Sequence, residues 1–212
     1  MYVPSHFAES RPEVLEALMR DHPLATLVTY GAGGLDANHV PLYFVPRPGT
    51  AGVLRGHLAR ANPLGCEIGA GMDALAVFRG PEAYVTPDWY PTKREHGKAV
   101  PTWNYAVVHA HGSLRVMDDP AWLRAQVEEL TARQETAFPH PWAVTDAPAD
   151  YIDKMLAAVV GIELTVTRLV GKWKTSQNQP PANRAGVVAG LGAHGPEGAA
   201  MAALVAGLPD ER

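Results

Sequence analysis

The stretch LATLVTYGAGGLDANHVPLYFV, residues 24–45, decides how the rest of the chain is read. Its two apolar runs, LATLVTY and DANHVPLYFV, are rich in β-branched and aromatic residues and too short for typical helices. GAGG joins them, and glycine supplies the positive φ that a tight connection needs. The pair predicts a β-hairpin. Downstream, PRPGTAG reads as a turn or loop, VLRGHLA as a third strand closed by RANPLG, and ALAVFRG and AYVT as further strands. Short strands at near-regular spacing predict a meander closed into a barrel.

Helices flank this core. Ser10-Arg11-Pro12-Glu13 has capping-box spacing and predicts a helix through Val14, Leu15, Leu18 and Met19, ended by His22-Pro23. Thr102 to Met117 is extended in character with a break at Gly112, and Asp118-Asp119-Pro120 announces a helix carrying Trp122, Leu123, Val127 and Leu130 on one side. A further helix from Ala149 to about Val159 precedes the alternating run GIELTVTRLVGKWKTS, which predicts one more strand. QNQPPANRAG reads as a loop, and the alanine-rich tail as a helix. The expectation is α+β: an antiparallel barrel of Greek-key type in a single domain, 1–212, with helical insertions around 118–160 and a C-terminal helix around 196–208.

The totals exclude several classes. Net charge is −4 with acidic and basic residues intermingled, so no long-range positive field attracts nucleic acid, and no basic recognition helix is legible. This argues against direct DNA binding. The one cysteine, Cys66, has no partner for a bridge or a thiolate metal site, and neither a signal peptide nor a membrane-spanning stretch is visible, so a cytoplasmic protein is expected.

Five stretches are candidates for chemistry. GHLARANP, residues 56–63, lies where a strand runs into a turn, and exposed amides beside Arg60 suit a phosphate monoester, although a polar strand end with a surface arginine explains it equally well. His39 sits in the hairpin strand NHVPL, where a structural histidine is the simpler reading. His109 and His111 form an HxH on one strand face, without a nearby carboxylate or cysteine to complete a metal set, so no metal is assigned. In WYPTKREHGKAVPTWNY, residues 89–105, Trp103 and Tyr105 share a strand side while Lys93, Arg94 and Lys98 are held between prolines. GKWKTSQN, with Lys174 and Gln177, repeats the combination of cation, ring and amide. A ligand with a flat ring system at one end and a phosphate at the other, such as flavin mononucleotide (FMN), uses all of these.

MYVPSHF, GHLARANP, FRGPEAYVTPDWYPTKREHGKAVPTWNY and GKWKTSQN, in this order, resemble the PaiB-type family of FMN-binding negative transcriptional regulators. The likeness runs from Met1 to about Val187. The resemblance implies an FMN-binding split β-barrel like that of pyridoxamine phosphate oxidase, with FMN as cofactor at the interface of a homodimer. It implies phosphate recognition by His57, Arg60 and Asn62 and ring or ribityl contacts by His39 and Leu42. Lys93, Trp103, Tyr105, Lys174 and Gln177 join them on motif and chemistry. Gln179 departs from the pattern, standing where a basic residue is expected. Flavin-dependent sensing or regulation is the implied role. The alternative is an FMN-dependent oxidoreductase acting on a small molecule or a nicotinamide, and a third reading is haem binding through His109 or His111.

Overall fold

The computed structural model describes residues 1–207. The opening stretch forms the expected hairpin, β2 (Leu24–Gly31) against β3 (Gly34–Pro41), with Gly31 opposite Gly34. Gly34 takes φ +100°, which a residue with a side chain rarely adopts. The remaining strands are β1 (Ala8–Glu9), β4 (Tyr43–Val45), β5 (Val53–Ala59), β6 (Met72–Val85), β7 (Thr102–Met117) and β8 (Val159–Lys174). They form one sheet in the order β3-β2-β6-β7-β8-β5-β4, with β1 paired to β8.

The two edges of that order are β3 and β4, and in the chain these strands are separated by Leu42 alone. Successive Cα atoms lie about 3.8 Å apart, so the edges meet there and the sheet must curl into a barrel. Gly56 of β5 confirms the closeness: a Cβ on it would stand 2.6 Å from the Pro41 carbonyl oxygen of β3. Leu42 is buried at the junction, and its N–H donates to the Pro23 carbonyl at 2.9 Å. The expected single run DANHVPLYFV is therefore two strands on opposite edges.

Other boundaries differ from the sequence reading for identifiable reasons. RGPE does not interrupt β6, because the fixed φ of Pro81 is compatible with extended backbone. Gly112 does not break β7. It lets the strand pass where a Cβ would lie 2.1 Å from the Thr165 carbonyl oxygen.

The helices are α1 (Pro12–Asp21), α2 (Leu64–Glu67), α3 (Pro91–His96), α4 (Pro120–Glu135), α5 (Ala149–Ala157), α6 (Pro181–Gly192) and α7 (Gly195–Ala206). The Asp119 side chain caps α4, accepting from the Trp122 N–H at 2.6 Å. The expected loop QNQPPANRAG instead opens α6: Pro180 and Pro181 supply the N-terminal turn, and Gly190 lets the Trp89 indole approach to where a Cβ would stand 2.3 Å away. Val187 and Leu191 of α6 pack with Met201 and Val205 of α7 around Val85 and Tyr90. The tail helix ends at Ala206, and the expected bound at 208 lies outside the described residues.

The chain forms two compact units. One comprises Met1–Leu18, Arg79–Val108 and the chain from Val170 onward; the other comprises Met19–Phe78 and His109–Leu169.

Candidate flavin site

Five of the expected site residues lie in the unit built on Met19–Phe78 and His109–Leu169. His39 is exposed on the outer face of the hairpin, directly across from Thr26. Leu42, in contrast, is 1% exposed and belongs to the barrel core. Any contact it makes with a ligand passes through its backbone. Asn62 holds the turn after β5: its Oδ1 accepts from the Leu64 N–H at 3.0 Å and its Nδ2 donates to Asn38 Oδ1 at 2.8 Å. That arrangement ties the turn to β3 at Asn38, the residue next to His39.

Arg60 and His57 already have partners. Arg60 Nε donates to the Ala157 carbonyl at 3.0 Å and one Nη2 hydrogen to the Val159 carbonyl at 2.9 Å. Its Nη1 and Nη2 also pair with Asp118, at 3.2 and 2.8 Å. A guanidinium has five N–H donors, so one Nη1 hydrogen remains. The pairing holds the Asp118 carboxyl below its ordinary range and raises Arg60. His57 Nδ1 meets Gln126 Oε1 of α4 at 2.9 Å, leaving Nε2 without a recorded partner among the described residues.

The other five lie in the unit that contains Arg79–Val108 and the chain from Val170 onward. Strand alternation is as expected: Asn104 is buried while Trp103 is 55% exposed, its indole edge-on to Tyr84 with ring centres 5.9 Å apart. Tyr105 receives the Lys172 ammonium over its ring at 5.2 Å. Lys174 Nζ donates to the Trp103 carbonyl at 2.6 Å and to Thr102 Oγ1. Burial, and then the charge of Lys172, push Lys174 below the ordinary lysine range. Gln177 braces the turn after β8, accepting from the Thr175 N–H at 2.8 Å. There Ser176 adopts φ +68°, and its Oγ accepts from Asn104 Nδ2 at 2.9 Å. Tyr90, Thr102, Asn104, Lys174, Ser176 and Gln179 line a cleft of about 150 Å3. Lys93 pairs with Asp88 at the start of the short helix α3, which replaces the expected stiff loop.

His109 and His111 share a strand face as expected, with ring centres 6.3 Å apart. Burial lowers both below the ordinary histidine range, Arg168 adding to it, so both are neutral near pH 7. Among the described residues no group of three or more potential ligands gathers around them.

Two features escaped the sequence reading. Buried Glu163 of β8 is met by Arg55 at 2.8 Å, Arg115 at 2.6 Å and Arg47 at 3.4 Å. Gln126 is 2% exposed on the inner side of α4. Its place one turn from Trp122 and Leu123 was the available signal, masked by its polarity.

The residues present suit a flavin nucleotide. In one unit, the turn braced by Asn62 and the exposed His39 imidazole supply amide and imidazole groups of the kind a phosphate requires; in the other, the exposed Trp103 ring is a surface of the kind a flat ring system requires. The family model described as "Putative FMN-binding domain" matches residues 1–168. An uncharacterized protein of Emericella nidulans is 35% identical, covering 90% of each chain. The Bacillus subtilis protein named "Protease synthase and sporulation protein PAI 2" is 30% identical, covering 84% of this chain and 83% of that one. Among solved structures, the FAD and heme binding protein from Mycobacterium smegmatis aligns with a TM-score of 0.56 at 19% identity, over 79% of this chain and 73% of its own. The flavocytochrome Anf3 from Azotobacter vinelandii aligns with a TM-score of 0.57 at 14% identity, over 81% and 72%. These two likenesses bear on the fold, and they agree with a split barrel.

Proposed function

Because this chain belongs to the FMN-binding family matched over residues 1–168, and FMN or a related flavin is its cofactor, we propose that it works as a homodimer holding flavin at the subunit interface and acts as a flavin-dependent sensor or regulator. The observation that carries the dimer is the outer face of β2, β3 and β6. Register puts Leu24, Thr26, Val28 and Tyr30 on that face, opposite Pro41, His39, Ala37 and Leu35, with Leu75 and Val77 of β6 continuing it. Leu24, Tyr30 and Leu35 are 61%, 72% and 77% exposed. A contiguous apolar sheet face of this kind marks an interaction surface. A second copy presenting the same face buries it self-complementarily, as a two-fold interface requires. His39 lies within the face.

In this reading the turn from Arg60 to Leu64 receives the phosphate, with Asn62 holding its backbone, the last Arg60 N–H donating, and His39 and the Leu42 backbone meeting the ribityl chain. His57 supports the turn through its strand. The other unit, taken by itself, carries the aromatic and cationic surface of Trp103, Tyr105, Lys174 and Gln177, with Lys93 at its margin, as a proposed seat for a flat ring. Bound flavin supplies hydride and electron transfer. The protein's part is to orient the ring, keep water off one face and present donors to it. The exposed Trp103 indole also favours a second reading, an oxidoreductase in which that surface receives a small molecule or nicotinamide.

The test is the double variant Tyr30→Glu/Leu35→Glu. Sedimentation should show monomers where the parent is dimeric, and FMN affinity should fall at least about tenfold, 1.4 kcal/mol. A charged monomer that keeps the parent's affinity would exclude the interface as the flavin site. Anaerobic bleaching of the bound flavin by reduced nicotinamide would favour the oxidoreductase reading.

A further inference from the structure

The flavin reading leaves unused a cleft of about 340 Å3 between the β4–β5 hairpin and α4. The size falls at the lower end of the range for small-molecule sites, about 300–1,000 Å3. Tyr43 and Arg55, cross-strand partners, form one wall; Trp122, Gln126, Glu129 and Arg133, recurring at helical spacing, form the other.

Three observations converge on a ligand. Gln126 is 2% exposed, its Oε1 is taken by His57, and its Nε2 is buried without a partner among the described residues. Exchanging the amide ends would orphan the oxygen instead. An unpaired buried polar group is costly, and a ligand atom that pairs with it removes the cost. The charged side chains that line the cleft are Arg55, Arg133 and Glu129, two cations to one anion, with Arg55 also paired to the buried Glu163 behind it. Glu129 takes only Nε of Arg133, at 2.7 Å, and the two terminal nitrogens have no recorded partner among the described residues. Flat surfaces complete the site: the Arg133 guanidinium lies 4.8 Å over the Tyr43 ring and that of Arg55 lies 5.6 Å from the Trp122 ring.

We propose that this cleft binds a small aryl carboxylate, its carboxylate meeting the terminal nitrogens of Arg133 and the free amide of Gln126, its ring against Trp122 and Tyr43. A compact ring acid matches a cleft at the small end of the range for ligand sites. The residues that line the cleft differ from those of the turn assigned to the flavin phosphate, and the hydrogen bond between Gln126 and His57 is the link between the two.

The experiment is calorimetric titration of the protein, with FMN present, by 4-hydroxybenzoate and by its uncharged amide, 4-hydroxybenzamide. The acid should bind saturably and the amide at least about tenfold more weakly. Arg133→Met and Gln126→Met should each weaken the acid by about tenfold or more, and Arg133→Met should leave FMN affinity unchanged. Arg133 keeps a 38% exposed side chain, so its replacement leaves the fold intact and remains informative if the Gln126 variant unfolds. Equal binding of acid and amide, binding of the acid undiminished in Arg133→Met, or no saturation below about 10 mM overturns the proposal. Loss of FMN binding in the parent would instead count against the flavin site and leave this cleft's titration readable.

Discussion

Replacing Glu163 by glutamine isolates what a buried carboxylate does for this barrel. Its side chain is 0% exposed, it stands opposite Arg55 across β5 and β8, and Arg55, Arg115 and Arg47 all reach it. Glutamine keeps the shape and removes the charge. Breaking a buried pair by deleting one partner costs about 3–5 kcal/mol, because the other charge is left uncompensated. Here the arginine side chains retain 28%, 38% and 51% exposure, so water takes over part of their solvation. The expected loss is therefore lower, about 2–3 kcal/mol, which for a chain of this size lowers Tm by about 4–12 °C. Burial alone would raise the Glu163 pKa; the hydrogen bonds of Arg115 and Arg55, with the charges of Arg115 and Arg47, overcome it, and the net shift is downward. A carboxyl depressed in the folded state stabilises fully above its unfolded value of about 4.3, and that stability disappears as pH falls through the folded value. Thermal unfolding of parent and Glu163→Gln, followed by circular dichroism from about pH 7 to about pH 3, should show a gap that narrows on acidification. A gap under about 1 °C at neutral pH, or one that does not change with pH, would refute the reasoning.

Gly112→Ala places a methyl 2.1 Å from the Thr165 carbonyl oxygen, a backbone atom that cannot step aside, and should cost about 3 kcal/mol or more in urea unfolding. An alanine there with unchanged stability would show that β7 and β8 are not so closely apposed. Asn62→Ala frees the turn after β5 and should weaken FMN binding by about 1–2 kcal/mol in a fluorescence titration; unchanged affinity would move the phosphate off this turn.

The barrel was legible because its information is local. Gly33-Gly34 announces the hairpin, Asp119-Pro120 announces α4, and alternating runs announce the strands. What stayed hidden depends on long-range partners. Pro41-Leu42 reads as the middle of one strand, because nothing in ten residues of sequence says that the chain changes sheet edge there. Gly112 reads as a breaker, because its purpose is set by Thr165, more than fifty residues away. Pro180-Pro181 reads as loop by composition, whereas the helix it opens is stabilised by apolar packing against α7 and by the approach of Trp89.

The site follows the same division. Sequence motifs identify residue types, and whether a cation is available to a ligand depends on what else has claimed its donors. Arg60, in the most recognisable motif, spends four of its five donors on Asp118 and on the carbonyls that end α5 and begin β8. Such a residue contributes mainly by shaping the turn, and its backbone neighbours are left to face the ligand. Arg133, outside every motif, keeps both terminal nitrogens uncommitted among the described residues, beside a buried amide with an unpaired end. Anion selectivity in this barrel is therefore set by the inventory of unspent donors. By that measure, the cleft under α4 is better equipped for a carboxylate than the motif-bearing turn is through its arginine.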